Sequence, residues 1–114
     1  IAARGDKTTE KLVSAQVIEA LGSDGFLINV SRGSVIDEDA MIAALKSGKL
    51  AGAGLDVFVQ EPTPAARWAD VPNTTLLPHI GGAAREAIIM GGMNVLENLR
   101  RAVAGEPLLT PLGG

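Results

Sequence analysis

Short apolar runs bounded by glycine, proline and aspartate alternate along this chain with segments of helical periodicity, and that alternation limits the fold more than any other feature. Residues 26–30 (Phe-Leu-Ile-Asn-Val), 50–57 and 74–77 read as strands. Ile1 to Ala3 read as the tail of another. Between them lie helices. Ser14 is placed to cap a helix over Ala15–Leu21, with Gly22 at its end. Asp37 is placed to cap Glu38–Lys46, whose first-turn acids and terminal Lys46 complement the macrodipole. The longest helix runs from about Ala83 to Ala104 and stops at Gly105. Its apolar positions Ile88, Ile89, Val95, Leu96, Leu99 and Val103 keep helical spacing. Residues 59–73 carry Pro62, Pro64 and Pro72 and read as loop, with one turn over 65–68.

Strands alternating with helices make a parallel sheet, so the fold class is α/β. Composition agrees: 46% of residues are hydrophobic but only 3% aromatic, the Ala, Val, Ile and Leu filling of strands covered on both faces. A net charge of −3 without a basic patch argues against nucleic acid. The absence of cysteine excludes disulfides and thiolate zinc sites, and no metal site is expected. No apolar run reaches membrane-spanning length, so a cytoplasmic protein is expected. Gly52 and Gly54 weaken their strand and imply close approach of backbone or ligand. Gly91 and Gly92 each cost the long helix about 1 kcal/mol relative to alanine, which implies close packing there.

Several patterns are discounted. Arg4-Gly5-Asp6 spells an adhesion tripeptide by chance, and the glycosylation patterns at Asn29 and Asn73 lack any sign of secretion. The run Gly52-Ala53-Gly54-Leu55-Asp56-Val57 has Val57 where a dinucleotide fingerprint needs its third glycine.

Four polar residues remain, each following or ending an apolar strand. Arg32 comes after 26–30, Asp56 closes 50–57, Glu61 lies just beyond it, and His79, the only histidine, follows 74–77. Singly, each has an ordinary explanation as a surface charge, a solvated loop residue or a structural hydrogen-bonder. Asp56 is the hardest to dismiss, because a carboxylate ending an apolar strand needs partners. Together they occupy the carboxyl edge of consecutive parallel strands, where open α/β sheets bind ligands. An imidazole, a carboxylate and a guanidinium there suffice to move a proton and hold an anion.

The segments Leu27-Ile28-Asn29-Val30-Ser31-Arg32-Gly33, Val35-Ile36-Asp37-Glu38, Gly52 to Phe58, Glu61-Pro62 and Pro78-His79-Ile80-Gly81-Gly82 resemble the D-isomer-specific 2-hydroxyacid dehydrogenases. Among these the chain is most similar to glyoxylate/hydroxypyruvate reductases. The resemblance implies the C-terminal half of a Rossmann-type parallel sheet domain, closed by a long crossing helix. It implies hydride transfer between NAD or NADP and a small 2-oxo or 2-hydroxy acid. Arg32, Glu61 and His79 match the family's catalytic residues: the carboxylate-binding arginine, the carboxylate that fixes the imidazole tautomer, and the acid/base. Val30, Ser31, Arg32, Asp56, His79, Gly81 and Gly82 match positions bordering the cofactor. Ala83-Ala84 departs from the pattern by lacking the hydroxyl residue many relatives carry there. The family pattern also makes residues 1–104 a partial NAD(P)-binding domain whose first half would precede Ile1, makes 105–114 a return segment toward a substrate domain, and makes the enzyme a homodimer. A rival reading is a nicotinamide-sensing interaction module resembling the C-terminal-binding-protein co-repressors.

Overall fold

The structure, a computed structural model, describes residues 1–111. The chain divides into two compact units, Ile1–His79 and Ile80–Gly114, each considered by itself.

The first unit holds helix α1 (Ala15–Leu21), strand β1 (Phe26–Asn29), helix α2 (Glu38–Lys46), strand β2 (Gly52–Leu55) and strand β3 (Thr74–Leu76). The three strands form one parallel sheet in the order β1-β2-β3, with Phe26 opposite Gly52 and Ala53 opposite Thr74. Each strand is shorter than its apolar run, because residues such as Val30 and Val57 continue past the last ladder partner. The expected strand at residues 1–3 is not formed as a strand, but Ile1 keeps strand-like ties to β1. Its amino group donates to Ile28 O, and its carbonyl accepts from Val30 N–H at 3.3 Å.

Side chains alternate along β1. Leu27 and Asn29 point into the core and Phe26 and Ile28 point out. The core joins Ile18 of α1, Met41 and Leu45 of α2, Leu27, Ala53 and Leu55 of the sheet, and Phe58, Trp68 and Val71 of the long loop. Each of these large apolar groups contributes about 1.5–3 kcal/mol by leaving water. Phe58 and Trp68 meet edge to face at 5.6 Å, and Trp68 Nε1 donates to Thr63 Oγ1 at 2.8 Å. That pairing ties the proline-rich loop into the shared core, and the loop contains a 3₁₀ turn at Ala65–Arg67.

Among the described residues the two-faced burial expected from composition is not found. Phe26, Ile28 and Val30 are 69%, 52% and 58% exposed on the face away from α1 and α2. The glycines of β2 fit that open face. A Cβ on Gly54 would lie 2.9 Å from Ile28 Cδ1, and one on Gly52 would lie 3.0 Å from the Phe26 ring. At Gly52 the Asn73 backbone oxygen is equally close, at 3.0 Å, so the expected approach of backbone is met there, whereas Gly54 meets only a side chain.

The second unit is built on helix α3 (Arg85–Ala104), closed by Gly105 in the left-handed conformation. It starts two residues later than the periodicity suggests. Ala84 stands at the N-cap and offers no side-chain acceptor, the local cost of the missing hydroxyl. Nothing lies within 4 Å of a Cβ at Gly91 or Gly92 among the described residues, so the close packing expected there is not seen. Part of the expected return segment, Leu112 to Gly114, lies outside the described residues.

Candidate active site

The site grows from the carboxyl ends of the three strands. After β1 the chain turns through Val30, Ser31 and Arg32, and Asn29 shapes that turn. Its side chain is fully buried and bonded at both ends: Oδ1 accepts from Ser31 N–H at 3.0 Å and Ser31 Oγ at 2.8 Å, while Nδ2 donates to Arg32 O at 2.9 Å. A buried amide satisfied at both ends fixes the backbone on which Arg32 stands. Arg32 itself is exposed and donates from Nη1 to Ser31 O at 2.7 Å. Asn29 is a site residue that the motif reading passed over. Its signal was a polar residue at an inward strand position.

Asp56 follows β2 and is 3% exposed, and its N–H donates to Asn29 O at 3.0 Å, so the two strand ends are laced together. The peptide joining Phe58 and Val59 then packs on Gly33, where a Cβ would come 1.9 Å from Phe58 C. Only glycine fits there. Glu61 turns back on this segment, and its Oε1 accepts from Phe58 N–H at 2.9 Å.

The other oxygen of Glu61, Oε2, lies 2.7 Å from His79 Nδ1. A carboxylate only accepts, so the Nδ1 hydrogen belongs to this bond and Nε2 is left for other work. The Glu61 carboxyl is held below its ordinary 4.5, chiefly by the His79 bond, then by Phe58 N–H, with a lesser contribution from the Arg32 charge. His79 takes a left-handed φ of 56°, an uncommon conformation for a residue with a side chain. Strain of this kind gathers at functional sites. The imidazole and Glu61 border a cleft of about 480 Å³ lined also by Phe58, Pro62, Thr63 and Pro78.

The structure therefore joins Glu61 to His79 directly and sets Arg32 near enough for its charge to be felt. Val30, Ser31 and Arg32 line a second cleft, of about 530 Å³, with residues 2–5. Gly81 and Gly82 follow His79 in the chain and belong to the second unit. Among the described residues no group of three metal-binding side chains occurs, and no helix is long and apolar enough to cross a membrane.

A parallel sheet carrying a His–carboxylate pair and an arginine past its strand ends is the architecture of a Rossmann-type dehydrogenase half-domain. The chain belongs to the D-isomer-specific 2-hydroxyacid dehydrogenases: residues 1–81 match the model of their NAD-binding domain. It is 41% identical over 104 residues to hydroxyphenylpyruvate reductase of Plectranthus scutellarioides, covering 91% of this chain and 33% of that protein. The solved NADPH-dependent glyoxylate/hydroxypyruvate reductase of Sinorhizobium meliloti, in complex with NADP and malonate, superposes with a TM-score of 0.90 at 41% identity. That match covers 98% of this chain and 35% of the other. The holo D-mandelate dehydrogenase of Rhodotorula graminis gives a TM-score of 0.90 at 38% identity, over 99% of this chain and 33% of its own. The chain thus spans about a third of the length of these relatives.

Proposed function

We propose that this chain serves an NAD(P)-dependent oxidoreductase that interconverts a small 2-oxo acid, such as glyoxylate or hydroxypyruvate, with its 2-hydroxy acid. The observation that carries the proposal is the 2.7 Å contact of His79 Nδ1 with Glu61 Oε2 beyond a parallel sheet edge.

The chemistry follows from which atoms remain available. With Nδ1 committed to Glu61, His79 presents Nε2 and gives its proton to the carbonyl oxygen as that oxygen gains charge. Glu61 balances the charge the imidazole carries and keeps the ring from rotating. Arg32 binds the substrate carboxylate, for which its planar fork of donors is suited. The site fits a nicotinamide. Val30, Ser31 and Arg32 line one open cleft, and Val30 also borders a second, with Asp56, Gly54 and Leu77. Val30, Ser31, Asp56, His79, Gly81 and Gly82 would border the cofactor, which supplies or takes the hydride at the substrate carbon. We take the enzyme to be a cytoplasmic homodimer, which light scattering and fractionation check.

Steady-state reduction of glyoxylate, hydroxypyruvate and hydroxyphenylpyruvate with NADH and with NADPH tests the reading. His79→Gln should lower kcat by about 10²–10⁴-fold while cofactor binding persists. Arg32→Gln should raise KM for the oxo acid, because carboxylate binding is what it removes. Near-normal turnover of the His79→Gln protein would refute the assignment.

A further inference from the structure

Glu38, the first residue of α2, is buried, and its carboxylate reaches away from its own helix. Oε2 accepts from Val59 N–H at 3.1 Å. Oε1 accepts from Arg67 Nε at 2.6 Å, and Arg67 Nη2 also donates to Asp39 Oδ1 at 2.8 Å. Val59 and Arg67 lie on either side of Glu61 along the loop. The two successive amides of Phe58 and Val59 are thus taken by two carboxylates, Glu61 from within the loop and Glu38 from outside it. Gly33 closes the arrangement from below, since the Phe58–Val59 peptide leaves no room there for a Cβ.

A first-turn glutamate that served only the helix dipole would lie in solvent near the α2 amides. Glu38 is instead desolvated, which is costly unless its bonds are made. The bonds it makes hold the loop on both sides of Glu61. We propose that Glu38 is a positioning residue for the His79–Glu61 pair: it clamps Val59 and Arg67 so that Glu61 stays aimed at the imidazole. This rests on the dyad reading above. Loss of the clamp lets Glu61 drift, and a displacement of about 1 Å in a reacting constellation costs up to about 10²-fold.

The test uses the intact protein and two readouts. One is the pH titration of the Glu61 carboxyl carbon by NMR; the other is kcat against KM for 2-oxo acid reduction with NAD(P)H. Glu38→Ala should move the Glu61 midpoint up toward the ordinary glutamate value. It should lower kcat by about 10–100-fold and leave KM for the cofactor unchanged. Glu38→Gln, whose amide oxygen still accepts from Val59 N–H but whose NH2 cannot accept from Arg67 Nε, should recover only the Val59 part of that loss. Arg67→Met, which frees the loop on the C-terminal side of Glu61, should reproduce part of the Glu38→Ala effect. A folded Glu38→Ala protein with unchanged Glu61 titration and kcat overturns the proposal. If Glu38→Ala does not fold, Arg67→Met decides by the same two readouts. Should Glu61→Gln leave kcat unchanged, the dyad itself is wrong and this inference falls with it. A damaging Glu61→Gln beside silent Glu38→Ala and Arg67→Met overturns the positioning role alone.

Discussion

Replacing Asn29 by alanine should cost the first unit about 3 kcal/mol of stability. The side chain makes three hydrogen bonds, to Ser31 N–H, Ser31 Oγ and Arg32 O, all between neutral groups. Each such bond contributes about 1 kcal/mol net. The Ser31 hydroxyl is able to rotate to another acceptor, which reduces its share. The Ser31 amide has no such freedom, and leaving it unpaired near the core costs about 1–3 kcal/mol, whereas Arg32 O keeps the bond it accepts from Val35 N–H at 3.2 Å. The two corrections oppose each other, so the total stays near 3 kcal/mol. Trp68 is the only tryptophan, is 7% exposed and packs in the core of this unit, so its fluorescence during urea unfolding reports the right equilibrium. Hydrogen exchange adds a local check. Ser31 N–H should lose protection, whereas Asp56 N–H, which donates to the Asn29 backbone carbonyl, should keep it. A loss below about 1 kcal/mol with Ser31 still protected would show that the buried amide does not hold the turn.

Further outcomes follow from other contacts. Gly33→Ala drives a methyl group into the Phe58 carbonyl carbon, so it should destabilise by about 3 kcal/mol or more and disturb Arg32 and Glu61 together; a mild effect on Trp68-monitored unfolding would contradict the packing. Trp68→Phe keeps an aromatic partner for Phe58 but loses the bond to Thr63, for a cost near 1 kcal/mol in urea unfolding followed by circular dichroism, since the substitution removes the fluorescent probe. The Glu61 carboxyl is depressed below 4.5, so the stability it contributes is present above that pH and is lost as pH falls through its lowered value; acid unfolding of the Glu61→Gln protein should lack that component. The Arg100 and Arg101 guanidinium groups beside Glu97 on α3 pull its carboxyl down to about 2, and its titration midpoint should rise in strong salt, which screens exposed pairs.

The strand–helix order was legible because each element carried its own period and its own stop. Asp37 bonds Ala40 N–H as a capping residue should, and Gly105 ends α3 in the one conformation where glycine is favoured. Arg32, Asp56, Glu61 and His79 could be singled out because a charge past an apolar strand needs a reason. What resisted reading was the path of the loop over 59–73. Glu38 looked like a helix-end charge, since nothing local says that Val59 and Arg67 return to it. Asn29 could have been found from strand alternation alone, as Leu27 and Asn29 share the buried face. The open face of the sheet was missed for a different reason: composition reports how much apolar surface exists, not which of it is covered.

The left-handed backbone at His79 bears on how this residue ought to be interrogated. Alanine there removes the imidazole but keeps the Cβ that makes a φ of 56° unfavourable, so its effect mixes lost chemistry with lost backbone order. Glycine separates the two. It adopts that conformation without penalty and vacates the space beside Glu61, into which a small heterocycle from solution could settle. Free imidazole added to the His79→Gly protein is therefore a form of chemical complementation for which the backbone is already prepared, and its dependence on Glu61 would show whether the carboxylate orients a ring that no longer has a tether.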